Sequence, residues 1–244
     1  MDSEYSPASS WYQDDEPMGR AGYKTEFVRP VGINRTDHGM GWAVNMVTGV
    51  SQPYHSDLER DFIWWASLIP NLVSLKAQPT TFTYETDDGP REYTPDFHLE
   101  FSDRRDLYVE VKPSKFLAGP ELRARLALIK PAIEQAGADF QCITETVLRR
   151  EPRYNNICVL QHYRSFRPPV KLARLIEFEF SKRDEIPMSD LRAIAEDSLL
   201  LRDSVRSLIL RRWLVTDLDQ PLSDQSVIRL NFRPNPKRSN GSVQ

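Results

Sequence analysis

The spacing of apolar residues changes from helical to strand-like near residue 70 of the chain. Before that point, one apolar stripe recurs at spacings of four, three and four residues. Its members are Leu58, Phe62, Trp65 and Ile69. This pattern predicts an amphipathic helix over residues 56–69, which Pro70 ends.

Period-two alternation follows and predicts four strands. They cover residues 73–77, 80–85, 91–101 and 107–112. The Asp-Asp-Gly sequence at 87–89 favours a hairpin turn between the second and third strands. A further apolar stripe predicts a helix over 120–137, and another strand follows at 140–144. The segment 107–144 therefore predicts a right-handed β-α-β crossover between parallel strands.

The predicted strands 91–101 and 107–112 also carry charged residues. Asp96 directly follows a proline, while Glu110 and Lys112 share one face of the second strand. If the strands pair, two carboxylates and an ammonium group meet. Two hard oxygen donors can hold Mg²⁺, and a lysine can stabilise charge on a phosphate or position an attacking water. The competing interpretation is a solvated strand face and an ordinary Pro-Asp turn.

Glu59, near the start of the first helix, has two competing roles. With Ser56 it fits the capping box S-x-x-E, in which the glutamate reaches back to a backbone amide. Alternatively, its carboxylate joins the metal site. The two roles exclude each other geometrically, and the sequence leaves both open.

Composition favours a globular protein over a membrane or secreted one. Of 244 residues, 40% are hydrophobic, and no apolar run approaches the roughly 20 residues that span a bilayer. The first residues lack the features of a signal peptide. Cys142 and Cys158 stand alone in apolar runs, without the spacing of a zinc site, so we expect buried thiols in a reducing compartment. A cytoplasmic protein is the expectation.

The net charge of −3 argues against a protein that coats nucleic acid indiscriminately. Basic residues nevertheless concentrate in one segment of the chain. They are Arg149, Arg150, Arg153, Arg164, Arg167, Lys171 and Arg174. This segment predicts either a patch that follows a phosphate backbone or an ordinary solvated basic face.

The combination of Pro-Asp at Asp96, one hairpin, and Glu-x-Lys ending at Lys112 resembles the PD-(D/E)xK nuclease superfamily. The predicted αβββαβ order is similar to the restriction-endonuclease-like core of that superfamily, an α/β fold. Five short motifs resemble one family more closely. They are His55-Ser-Asp-Leu-Glu59, Gln78-Pro79, Tyr93-Thr-Pro-Asp-Phe97, Glu110-Val-Lys112 and Phe140-Gln-Cys-Ile-Thr-Glu145. Their order resembles that of the TnsA family, the endonuclease subunits of heteromeric, Tn7-like transposases, across residues 50–165.

The resemblance implies a specific activity. Members of the family cut DNA at the 5′ ends of the transposon, while a partner DDE transposase processes the 3′ ends. A AAA+ ATPase regulator joins the assembly. Double-stranded DNA at the transposon ends is therefore the expected substrate, and the choice of target site, by a guide-RNA complex or otherwise, stays open.

Carried over by position, the resemblance implies that Glu59 is the helix acid, Asp96 the central metal acid and Lys112 the catalytic lysine. Glu110 occupies a position that varies between Glu and Gln in the family. All four residues are thus expected to be catalytic. Glu59, Asp96 and Glu110 are the expected ligands of Mg²⁺, for which Mn²⁺ can substitute. The sequence departs from the family's usual Glu-Ser before the helix, because His55 replaces the glutamate.

The expected organisation of the chain has four parts. They are a disordered acidic tail at 1–22, an endonuclease-like domain at 23–167, a mostly helical, winged-helix-like domain at 168–232 and a disordered basic tail at 233–244. The third part rests on a change of composition to three predicted helices and two short strands, at 213–222 and 226–232. An ordinary helical extension packed on the nuclease core is the competing interpretation.

Two other functions are compatible with the sequence. A stand-alone restriction or repair endonuclease of the PD-(D/E)xK class would use the same chemistry without partners. A non-catalytic DNA-binding or assembly module on the same fold would not cut DNA. Intact acids and lysine at the expected positions argue against this last interpretation, although a fold alone does not prove activity.

Overall fold

The computed structural model of the protein describes residues 39–231. The predicted tails at 1–22 and 233–244 lie outside the described residues, as does the segment 23–38 of the predicted endonuclease-like domain. Across residues 39–231, none of the helices has the length and apolar character needed to cross a membrane.

The first half of the described chain mixes strands and helices. In order, its elements are β1 (Gly41–Val44), β2 (Ser51–Tyr54), α1 (Asp57–Ala66), β3 (Leu72–Ala77), β4 (Phe82–Thr86), β5 (Gly89–Tyr93), β6 (Phe97–Phe101), β7 (Leu107–Val111), α2 (Ser114–Leu117), α3 (Pro120–Gln135) and β8 (Asp139–Ile143). Strands β1 and β2 form an antiparallel hairpin directly before α1.

A four-stranded sheet in the order β3-β6-β7-β8 organises this half. Its first two pairings are antiparallel, whereas β7 and β8 are parallel and are connected through α3. Helix α1 covers the sheet with Phe62 and Ile63, which are fully buried, and the Phe62 ring lies 4.7 Å from that of Phe97. The predicted helix-strand order and the parallel crossover pair are confirmed, although α1 ends three residues earlier than predicted, at Ala66.

The predicted strand at 91–101 is wrong, because the structure divides it into β5 and β6. Thr94, Pro95 and Asp96 lie between the two strands, and a proline cannot donate a hydrogen bond to a continuing ladder. Strand β5 pairs with β4 in a separate two-stranded sheet, with the predicted turn at 87–89. This hairpin packs Tyr84 with Ile129 of α3. The division places Asp96 in a connection, where its side chain can turn toward β7.

The second half of the described chain is mostly helical. Its elements are α4 (Glu145–Leu148), α5 (Arg153–Gln161), α6 (Val170–Phe180), β9 (Glu185–Pro187), α7 (Met188–Ala193), α8 (Ser198–Leu210), β10 (Leu214–Val215) and β11 (Val227–Leu230). The three strands form an antiparallel sheet in the order β10-β11-β9. The sequence predicted two of them and missed β9, because three residues ending in a proline show no alternation.

The two halves have separate cores that share a boundary. Ile157 and Leu160 of α5 belong to the core of the second half, although α5 precedes the predicted domain boundary at 167. Buried Arg212 donates a hydrogen bond of 2.7 Å to the carbonyl oxygen of Leu72 in β3. The winged-helix-like assignment of the second half stays a prediction.

Candidate active site

Asp96 is held through both its backbone and its side chain. Its carbonyl oxygen accepts a hydrogen bond from the Gln78 amide (2.8 Å), and its Oδ2 accepts one from the Val111 amide (2.8 Å). Gln78 has a φ of 46°, in the left-handed region that a glutamine rarely adopts. These contacts fix the Asp96 carboxylate at the end of β7, where its side chain remains 19% exposed.

Glu110 is buried on β7, with a side chain only 4% exposed. Its Oε2 accepts a hydrogen bond from the hydroxyl of Tyr93, the last residue of β5. A buried carboxylate needs such partners, because burial without hydrogen bonds is strongly unfavourable. A solvated strand face is therefore excluded as the explanation of Glu110.

Lys112 follows β7 and joins the two acids. Its Nζ lies 2.9 Å from Oε1 of Glu110 and 3.4 Å from Oδ2 of Asp96. Its backbone amide donates to the carbonyl oxygen of Ile143 at the end of β8 (3.1 Å), which fixes its position beside the sheet. The structure thus brings Asp96, Glu110 and Lys112 into contact, and we call them the acid–lysine cluster.

The acid–lysine cluster has an excess of negative charge when both acids are ionised. Burial, and then the charge of Glu110, raise the pKa of Asp96 to about 7 against the opposing effect of Lys112. Burial alone would lower the pKa of Lys112, but the neighbouring carboxylates outweigh it and raise that pKa. Burial and the Glu110 charge also raise the pKa of Tyr93, so its hydroxyl remains a donor. Crowded acids with such shifts are typical of functional sites.

Glu59 caps helix α1. Its Oε2 accepts a hydrogen bond from the His55 amide (2.7 Å) and its Oε1 one from the Ser56 hydroxyl (3.1 Å). Both carboxylate oxygens are engaged at the start of the helix, which is the capping alternative. The Glu59 charge still contributes to the raised pKa values of Asp96 and Lys112. Glu59 therefore acts on the cluster through its charge rather than through a direct contact.

The carboxylates of the acid–lysine cluster fit a Mg²⁺ site that water and substrate complete better than a site formed by protein ligands alone. Among residues 39–231, no group of three or more His, Cys, Asp or Glu side chains could hold a metal ion. The predicted set of Glu59, Asp96 and Glu110 is therefore not assembled as a three-acid site. Mg²⁺, however, is commonly bound through one or two carboxylates and completed by waters and substrate phosphates. Asp96 and Glu110, with their excess negative charge, fit that requirement.

His98, two residues beyond Asp96, takes no part in the acid–lysine cluster. Its Nε2 lies 3.0 Å from Oδ2 of Asp106, and its ring stacks on Tyr108 at 4.4 Å. His98 is therefore a packed histidine of the sheet rather than a member of the site.

The two cysteines are free thiols, half-buried rather than fully buried. Cys142 of β8 lies opposite Glu110 of β7 in the strand register. Burial, and then the Glu110 charge, raise the pKa of Cys142 to about 11. Its thiol is therefore protonated at neutral pH and is a poor metal ligand.

Three of the basic residues singled out in the sequence form ion pairs with carboxylates. Arg149 pairs with Asp61 (2.7 Å), whereas Arg150 and Arg153 both pair with Asp219 (2.8 Å each). These pairs link α1 with the chain after α4, and α5 with the segment before β11. Such arginines stabilise the fold, so a phosphate-binding patch does not include them.

Two supporting contacts of the cluster were not predicted from the sequence. One is the Tyr93 hydroxyl on Glu110, and the other is Gln78, whose amide holds Asp96 and whose Nε2 lies 3.3 Å from Nδ1 of His55. Both residues belong to the short motifs quoted above, so the sequence marked them as candidates for a role at the site. Their partners could not be inferred, because the contacts depend on how the β4-β5 hairpin and the left-handed turn are placed.

Comparison with known proteins agrees with this geometry. Residues 70–145 match a family model described as TnsA-like endonuclease N terminal. No curated protein matches the chain. The matched residues include the whole acid–lysine cluster but not Glu59. The resemblance to TnsA-type endonuclease subunits of Tn7-like transposases is thereby confirmed, with residues 70–145 as a TnsA-like endonuclease domain.

Proposed function

We propose that the protein is the metal-dependent DNA endonuclease subunit of a cut-and-paste, Tn7-like transposase. The observation that supports this most is the acid–lysine cluster, which lies within the segment that matches the TnsA-like domain. The proposed reaction is phosphodiester hydrolysis at the 5′ ends of the transposon. A DDE transposase partner processes the 3′ ends, and a AAA+ ATPase regulator completes the assembly.

Asp96 and Glu110 are the proposed ligands of Mg²⁺, for which Mn²⁺ would substitute. The ion would supply activation of an attacking water and stabilisation of charge at the phosphate. The protein supplies orientation, because the Val111 amide holds the Asp96 carboxylate and the Tyr93 hydroxyl holds that of Glu110. Preorganised ligands avoid a reorganisation cost during the reaction.

Lys112 is the proposed electrostatic partner of the phosphate. Its ammonium group lies between both carboxylates and remains charged, because they raise its pKa. From this position it can donate a hydrogen bond to a non-bridging phosphate oxygen or orient the attacking water. Hydrolysis by direct displacement requires no covalent nucleophile from the chain.

The test is strand cleavage by the full-length protein on a duplex that carries a transposon end, with the transposase partner and Mg²⁺. We expect the wild type to cut the 5′ strand and Asp96→Ala to lose cutting while it still joins the partner. Asp106→Ala is a matched control, since Asp106 is another acid, directly before β7, but contacts His98. Undiminished 5′ cutting by Asp96→Ala contradicts the proposal, and cutting by the wild type without a partner would indicate a stand-alone endonuclease.

A further inference from the structure

A cluster of arginines surrounds the turn that follows α5 and extends along α8. Its members are Arg164, Arg167, Arg202, Arg206 and Arg211, which we call the turn–α8 arginine cluster. Arg164 and Arg167 belong to the basic segment singled out in the sequence, whereas the other three come from a later part of the chain.

Hydrogen bonds to the turn hold the arginines together. Arg211 Nη2 donates to the carbonyl oxygens of Arg164 (3.0 Å) and Phe166 (3.1 Å), and Arg167 Nη1 donates to that of Arg164 (3.4 Å). Arg206 Nη1 donates to the Tyr163 hydroxyl (2.9 Å). The acceptors are neutral, so these bonds position the guanidinium groups without cancelling their charge.

Charge compensation within the turn–α8 arginine cluster is small. Asp203 pairs with Arg202 (2.9 Å) and accepts a hydrogen bond from Tyr163 (3.1 Å). Among residues 39–231, the other four arginines form no ion pair with a carboxylate. Arg149, Arg150 and Arg153, by contrast, are each paired. Five guanidinium groups and one carboxylate leave four positive charges in a small area.

A pocket extends this surface toward α7. It is lined by Arg192, Arg202, Arg206 and Ser223 among others, and Asp224 pairs with Arg192 inside it (2.6 Å). The positive surface therefore continues from the exposed turn along α8 to the pocket.

We propose that the turn–α8 arginine cluster binds the phosphate backbone of duplex DNA without reading its sequence. Guanidinium groups suit phosphate oxygens because they are planar and always charged. The inference rests on the proposed function and deepens it. The whole chain has a net charge of −3 and the acid–lysine cluster an excess of carboxylate, so attraction to DNA has to come from an uncompensated basic surface.

The experiment measures the affinity of the full-length protein for a labelled DNA duplex of arbitrary sequence at several salt concentrations. Arg164 and Arg167 are exposed and, within residues 39–231, donate only to backbone carbonyls at the end of α5 and in the turn, so their replacement leaves the core intact. Arg167→Ala should weaken binding several-fold and lower the slope of log affinity against log salt by about one. The double variant Arg164→Ala/Arg167→Ala should lower the slope by about two, and Arg167→Lys should restore most of the binding.

Arg150→Ala is the matched control. Arg150 is exposed, and its replacement removes the same formal charge, but Arg150 is held in an ion pair with Asp219, unlike Arg167. We expect a salt slope close to that of the wild type for this variant. An equal loss for Arg150→Ala and Arg167→Ala would show that net charge alone matters and would overturn the assignment.

Three further results would overturn the proposal. They are an unchanged duplex affinity in the double variant, no duplex binding by the wild type, and a loss confined to binding of the transposase partner, which would make the cluster a protein-docking surface. Asp96→Ala separates this proposal from the endonuclease assignment, since it should lose cutting without any loss of affinity for duplex DNA. If the wild type never cuts but its duplex affinity depends on Arg167, the endonuclease assignment fails and the DNA surface stands.

Discussion

Buried carboxylates at two places in this protein differ in the number of cationic side chains that balance their charge. Asp61 of α1 has a side chain only 1% exposed, and it pairs with Arg149 (2.7 Å) and Arg60 (2.9 Å). Asp96 shares one lysine with a second acid, Glu110. Asp61 thus has two cationic partners, whereas two acids share one cation in the acid–lysine cluster.

The difference separates a structural role from a functional one. A buried carboxylate with two cationic partners links elements of the fold, and its loss leaves the partly exposed Arg149 and Arg60 without that charged partner. Two acids that share one cation lower stability, and they provide a place for an additional cation. We therefore expect substitutions at Asp61 and Asp96 to have opposite effects on stability and on activity.

The largest expected effect is on cutting by Asp96→Asn. The substitution keeps the shape of the side chain and an oxygen for the Val111 amide, but it removes the charge that would hold Mg²⁺. Cutting of the 5′ strand in the partner complex should fall by about a thousandfold or more. Folded Asp61→Asn should cut at nearly the wild-type rate. An equal loss of cutting in the two variants would contradict the distinction between a structural Asp61 and a functional Asp96.

The next largest effect is on the stability of Asp61→Asn. Arg149 and Arg60 would lose their charged partner, and Tyr154, whose hydroxyl lies 3.3 Å from Asp61, would lose a charged acceptor. The free energy of unfolding in urea should fall by about 2 kcal/mol, since water can partly solvate the two arginines. A change below about 0.5 kcal/mol would show that Asp61 is not a structural centre.

Tyr93→Phe should have an intermediate effect on activity. It leaves Oε2 of Glu110 without its hydroxyl donor, and an unsatisfied buried acceptor costs about 1–3 kcal/mol. We expect cutting at limiting Mg²⁺ to fall about tenfold and to recover partly at high Mg²⁺. Tyr84→Phe in the same hairpin is the control, since Tyr84 contributes to the α3 core rather than to the acid–lysine cluster. Equal cutting by both variants would exclude a positioning role for Tyr93.

The smallest expected effect is a gain of stability in Asp96→Asn that depends on pH. Asp96 has a pKa of about 7 in the folded protein, raised from its ordinary 3.8, so the folded state holds its proton more tightly than the unfolded state. Wild-type stability should therefore decrease as pH rises from about 4 to about 7. Asp96→Asn should exceed the wild type by at least about 1 kcal/mol at pH 8. The gain should be smaller at pH 5. Equal gains at both pH values would contradict the claim that the ionised Asp96 carboxylate lowers the stability of the folded protein.

The sequence predicted the acid–lysine cluster because its signals are local. Alternation placed Glu110 and Lys112 on one face of the predicted strand 107–112, and Pro-Asp marked the start of β6. It could not predict that Glu110 is buried, since this burial depends on the β4-β5 hairpin and on Tyr93 at its end. The sequence analysis also joined β5 to β6, because the strand-like pattern at 91–101 hides the break at Pro95.

Other contacts that depend on the tertiary placement of distant segments could not be predicted from the sequence for the same reason. Glu59 fits both a cap and a metal site in sequence, and only the placement of the His55 amide shows that its oxygens are engaged. The basic segment likewise contains arginines that form ion pairs and arginines that form none within residues 39–231. Their difference depends on Asp61 and Asp219, which are far away in the chain.

The most direct test of the account is a calorimetric titration of Mn²⁺ into the wild type and into Asp96→Asn, each with and without duplex DNA. The account predicts that the wild type binds the ion at Asp96 and Glu110 and that the variant does not. Equal binding by the two proteins, or binding by neither in the presence of DNA, would contradict an active site built on the acid–lysine cluster.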